Sequence, residues 1–128
     1  MTKTYCFSIN SYNQFQQLIH YNDNKKRVLI IYIKYYLIKG FGLNWLNILI
    51  KMIKENYSNY NIKFFIDSGN DHGLSVLVMK ENIQYIKLRA NSIILNKINQ
   101  ISKKNKVLLN PNFNVVDFSK FKKIRQKI

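Results

Sequence analysis

The chain has 128 residues and a mass of 15.3 kDa, enough for one domain whose core needs neither disulfides nor metal. Hydrophobic residues at 47% and aromatics at 14% exclude intrinsic disorder, and no apolar run approaches the ~18 residues of a membrane span. A formal charge of +15 and a pI near 10.0 raise nucleic acid as a partner, while the single cysteine, Cys6, excludes an intrachain disulfide or a cysteine-built metal site.

Residues 5–9 read as a strand, and Asn10 or Ser11 caps a helix to about residue 21 with Tyr12, Phe15, Leu18 and Ile19 on one face. Residues 22–26 are a polar turn, and 27–33 form a continuous, β-branched strand suited to the middle of a sheet. The apolar run from 28 to 37 is interrupted by Lys34 and followed by Lys39, which favours a buried strand over a lipid-facing helix. A loop holding Gly40 and Gly42 leads to a helix over 45–56 capped by Asn44, then to a strand over 62–66.

Beyond a polar turn come a short buried helix over 74–79, a strand over 83–88, a helix from 91 or 92 to 104 and a strand over 106–109 closed by Pro111. Residues 1–111 therefore form one α/β domain, and 112–128 a basic tail or short helix. The alternation predicts about five mostly parallel strands with crossover helices. An open three-layer sandwich of flavodoxin-like type, with helices on both faces, is the first arrangement, and a half-barrel-like one the second.

The charge loses force on inspection. Of the 21 basic residues 18 are lysine, Asn occurs 18 times, Ile 19 times and Ala once, the preferences of an AT-rich coding sequence. Arginine, suited to bidentate phosphate contacts, occurs only at Arg27, Arg89 and Arg125. Nucleic acid is thus a secondary expectation. The first residues lack the apolar centre of a secretory signal, so the expected location is cytoplasmic, with no membrane partner and no cofactor. Cys6, between Tyr5 and Phe7, reads as a packed thiol.

Chemistry concentrates in the turn Asp67-Ser68-Gly69-Asn70-Asp71-His72-Gly73. In parallel α/β folds ligands gather beyond the carboxyl ends of the strands, which places Asp67, Ser68, Asn70, Asp71 and His72 at a rim with Lys34 and Arg89. The bland account is that Asp71 or Asn70 caps a helix and the glycines make the turn. Phosphate-loop, dinucleotide and nucleophile-elbow patterns are all absent, and Asp67, Asp71 and His72 lack a recognised metal spacing.

This turn, with the upstream Gly40-Phe41-Gly42-Leu43-Asn44-Trp45-Leu46, resembles a family of short alphaproteobacterial α/β proteins without an established activity, whose turn reads D-C-G-D-x-x-G-x-A. The likeness covers residues 28–109 and departs from the pattern at Ser68, in place of the cysteine, and Asn70, in place of the second acid. It implies the fold and the site's location and leaves the reaction open, while Ser68 excludes a catalytic thiol at that position. A second likeness, of Asp67-Ser68-Gly69 and Gly73-Leu74, is to anti-sigma-factor antagonist modules, which carry a phosphorylatable serine.

The reading taken from the sequence is a non-catalytic or weakly catalytic module that binds a small anionic ligand or a protein partner at the strand ends. The alternatives are an aldolase or isomerase using Asp67 as base with Lys34, and a nucleic-acid or ribosome-associated protein.

Overall fold

The computed structural model describes residues 4–21 and 27–118. Its elements are β1 (Thr4–Ser8), α1 (Tyr12–Tyr21), β2 (Val28–Ile33), α2 (Tyr35–Phe41), α3 (Leu43–Asn56), β3 (Asn61–Asp67), α4 (His72–Met79), β4 (Tyr85–Lys87), α5 (Ser92–Lys104), β5 (Leu108–Leu109) and β6 (Val115–Asp117). All six strands are parallel, in one sheet ordered β5-β4-β3-β2-β1-β6. The expected α/β class with parallel strands and crossover helices is therefore what the chain adopts, with a sixth strand added.

Three helices, α1, α4 and α5, start where a side chain satisfies a free backbone donor. Ser11 Oγ accepts from the Gln14 amide at 3.1 Å while Gln14 Oε1 accepts from the Asn10 amide at 2.8 Å, a reciprocal arrangement close to a capping box. Asn91 Oδ1 caps α5 by accepting from the Ile94 amide at 2.9 Å. Asp71 Oδ1 caps α4 by accepting from the Leu74 amide at 3.0 Å. Asp71→Ala should lower stability by about 1 kcal/mol, read as a shift of the urea midpoint at unchanged slope; an unchanged midpoint would leave this cap without weight.

Two segments differ from the sequence expectation. The buried strand ends at Ile33, and residues 35–41 turn into α2, burying Leu37 and Ile38. An apolar run alone does not separate a buried strand from a buried helix. Gly42, at φ 97°, joins α2 to α3 without a side-chain cap, and Asn44 lies inside α3 with its side chain exposed. The expected tail also begins too early, since residues 115–117 pair with β1 as β6 and Phe118 is fully buried. Residues 119–128 and the turn at 22–26 lie outside the described residues.

From β1 to β5 every connection moves one strand in the same direction. Right-handed crossovers then put every helix on one face, and the core confirms it. Phe15 and Leu18 of α1, Leu46 and Ile53 of α3, Val78 of α4 and Ile98 of α5 pack with Phe7, Ile31, Phe64 and Ile86 of the strands in one cluster. Of the two arrangements weighed, this winding is the half-barrel-like one. The opposite face carries a smaller cluster, Cys6, Ile30 and Phe65, packed by Tyr32, Tyr85, Phe113 and Val115. Its cover is residues 110–114, which run from β5 at one edge to β6 at the other.

That crossing demands a curved sheet. Five strand spacings of ~4.8 Å make about 24 Å if the sheet were flat, whereas six residue steps from Leu109 to Val115 reach about 21 Å at most. The strap must also descend, because Leu109 sits on the rung of Ile66 and Val115 on that of Lys63. The sheet therefore curls toward its helix-free face, which becomes concave beneath the strap.

Candidate functional site

The strap is held at both ends. Asn110, at φ 52°, uses its carboxamide as a surrogate strand: Oδ1 accepts from the Leu88 amide at 2.8 Å and Nδ2 donates to the Leu88 carbonyl at 3.0 Å. Asparagine tolerates this left-handed conformation better than other non-glycine residues. Three residues on, Phe113 meets Tyr85 edge-on at 4.8 Å and Phe65 at 5.9 Å between ring centroids. Phe65 in turn meets Tyr32 at 4.9 Å, so one aromatic cluster runs from the middle of the sheet to the strap.

Between strap and sheet lies a cleft of about 480 Å³. Tyr32, Phe65, Phe113 and Val115 supply its apolar wall, Pro111 and Asn112 its strap side, and Lys87 and Arg89 its charge. Successive strand residues alternate between faces, so Tyr85 and Lys87 of β4 share the concave side, and Arg89 just beyond the strand lines the same cleft. No acidic residue lines the cleft among the described residues.

At its edge Tyr32 donates its hydroxyl to Asp67 Oδ2 at 2.7 Å, while Asp67 Oδ1 accepts from the Gly69 amide at 2.8 Å. Burial, the hydrogen bond to Asp67 and that carboxylate's charge push the Tyr32 hydroxyl well above its ordinary 10.0, with Arg89 pulling in the opposite direction. Tyr32 is thus a neutral donor toward Asp67, with its oxygen lone pair left as an acceptor. Lys34 Nζ pairs with Asp117 Oδ2 at 3.2 Å and donates to Asn10 Oδ1 at 3.4 Å, tying the ends of β1, β2 and β6 together.

The residues singled out in the sequence divide into groups. Arg89 lines the cleft, Asp67 bonds to a lining residue, and Lys34 stands beyond the end of β2 next to Asp67's strand. Asn70, Asp71 and His72 are exposed and do not line the cleft; Asp71 is the α4 cap described above. Ser68 is fully buried, with its hydroxyl donating to the Lys87 carbonyl at 2.6 Å and its amide to the same oxygen at 2.9 Å. That position locks β3 to β4 and closes Ser68 to a phosphoryl donor.

Gly69 carries the φ of 60° that the turn requires, whereas a Cβ on the helical Gly73 would meet only Asp71 Oδ1 at an ordinary 3.6 Å. Lys87, Tyr32, Asn112 and Phe113 are the residues that sequence reasoning missed. Alternation along β4 was the signal for Lys87, which lines the cleft with Arg89. Nothing in the local pattern of residues 110–114 announces a strap, because its role follows from a sixth strand of three residues.

Cys6 lies beneath the same face, and burial pushes its thiol from 9.0 up to about 12. The thiol stays protonated at neutral pH and should resist alkylation in the folded state. Because the folded pKa lies above the unfolded one, the stability it contributes is complete below pH 9 and lost between pH 9 and about 12. Urea titrations should show falling stability across that window, and Cys6→Ala should make the fall shallower; identical slopes for the two proteins would contradict it.

Among the described residues no three His, Cys, Asp or Glu side chains gather as metal ligands, and no helix is long and apolar enough to cross a membrane. Fold and cleft together define a small, singly wound parallel α/β domain with a ligand-sized cavity on its helix-free face. Comparison with protein-family models and with curated proteins finds no match.

Proposed function

We propose that this protein is a non-catalytic or weakly catalytic cytoplasmic module that binds a small organic anion in the cleft beneath the strap. The observation that carries the reading is the pairing of Lys87 and Arg89 with an aromatic wall in a cavity of about 480 Å³ that no carboxylate lines among the described residues. Pockets of ~300–1,000 Å³ with mostly apolar walls and a few placed polar groups are the usual form of small-molecule sites. Two cations there without a salt bridge among the described residues favour an anion. The resemblance of the Asp67–Gly73 turn to an alphaproteobacterial family, and the AT-rich bias of the composition, belong to the same proposal.

The test is a thermal-shift screen of carboxylates and phosphates. A ligand at a hundred times its Kd should stabilise the wild type by about 2.7 kcal/mol. The double variant Lys87→Ala/Arg89→Ala should weaken that ligand at least about tenfold, since hydrogen bonds to charged groups contribute ~1.5–3 kcal/mol each. Equal stabilisation of both proteins would overturn the location.

The aldolase or isomerase alternative requires a free base and amine. Asp67 already accepts from Tyr32 and Gly69, and Lys34 is engaged by Asp117 and Asn10. The nucleic-acid alternative rests on the net charge alone, and a steep loss of binding with added salt is its signature.

A further inference from the structure

We infer that the ligand of this cleft is a planar aromatic phosphate monoester of mononucleotide size, a nucleoside monophosphate. The inference rests on the anion-binding reading above and adds the chemical class.

Size argues for more than a bare anion. A water molecule occupies ~30 Å³ of liquid, and an inorganic phosphate is only a few times larger, so it would leave most of the roughly 480 Å³ unfilled. The remaining space is bordered by the rings of Tyr32, Phe65 and Phe113 together with Pro111. These rings meet one another edge-on, which leaves ring faces on the cleft against which a flat heterocycle stacks, and base–aromatic stacking tolerates any base because each has a π face.

Charge fixes the other end. Lys87 ends β4 and Arg89 follows two residues on, both lining the cleft. Their long side chains can reach one dianionic group, and a phosphate monoester carries −1.5 to −2 at neutral pH; a single carboxylate neutralises only one of them. The arginine adds the fork that matches two phosphate oxygens. Tyr32, whose proton is committed to Asp67, presents its oxygen as an acceptor for an amino or imino N–H of the heterocycle.

The experiment titrates the whole chain calorimetrically with the four ribonucleoside 5′-monophosphates, the matching nucleosides, ribose 5-phosphate and a single-stranded tetranucleotide. At least one monophosphate should bind tenfold or more tightly than both its nucleoside and ribose 5-phosphate. In Lys87→Ala/Arg89→Ala the advantage over the nucleoside should vanish, and in Phe113→Leu, which keeps an apolar anchor for the strap, the advantage over ribose 5-phosphate should shrink.

Ribose 5-phosphate binding as tightly as the monophosphate would overturn the aromatic half and leave anion binding standing. A nucleoside binding as tightly as its monophosphate, unaffected by loss of the two cations, would overturn anion binding itself. Failure of all four monophosphates, or a tetranucleotide far tighter than any of them, would overturn the mononucleotide assignment.

Discussion

Gly69→Val should destabilise the fold by about 3–5 kcal/mol, combining a left-handed backbone that β-branched residues avoid with overpacking. Gly69 sits at φ 60°, and a Cβ built there would lie 2.8 Å from Cδ2 and 2.9 Å from Cγ of Tyr35. The ring belongs to α2, so the clash is between the β3–α4 turn and the helix that follows β2. The same glycine accepts from the Arg89 amide at 2.7 Å and donates to Asp67, so displacing it disturbs both sides of the cleft's edge. Adding Tyr35→Ala should recover the part due to overpacking and leave the part due to φ. Denaturation of the two variants measures this, and a Gly69→Val protein within 1 kcal/mol of wild type would contradict the turn's geometry.

The second large effect is expected at Asn110. Asn110→Ala should cost about 2–4 kcal/mol, because the Leu88 amide and carbonyl lose both side-chain partners and alanine inherits a left-handed backbone. Asn110→Gly keeps the conformation and loses only the hydrogen bonds, so it should fall between alanine and wild type. Both variants should also weaken ligand binding, since the strap they loosen forms one wall of the cleft. If glycine and alanine are equally damaging, the φ of 52° contributes nothing. If neither changes stability, the strap is not anchored by Asn110.

Most of the fold was legible because periodicity and capping agree in α1, α3, α5 and the central strands. Ser11, Asp71 and Asn91 mark helix starts by chemistry that a sequence displays directly. The choice between helices on both faces and helices on one was not legible. It depends on strand order, and amphipathic helices look alike whichever face of a sheet they cover. The strap and β6 were hidden for a related reason: Asn-Pro-Asn-Phe-Asn reads as a loop, and its importance comes from what lies across the sheet from it.

The candidate site was half legible. The turn after β3 is at the carboxyl end of a strand, and Asp67 does reach the cleft's edge through Tyr32. Asn70, Asp71 and His72 follow the chain up onto α4, on the helical side, while Lys87 and the aromatic wall face the other way. A cluster of polar residues in sequence thus marks the end of the sheet that the proposed cleft shares and the less enclosed of its two sides.

Backbone amide shifts on titration with a bound anion separate the two sides directly. Binding beneath the strap predicts the largest changes at Tyr32, Lys87, Arg89, Asn112 and Phe113, with Asn70, Asp71 and His72 little affected. Changes concentrated on Asn70, Asp71 and His72, with the strap and β4 silent, would contradict the account.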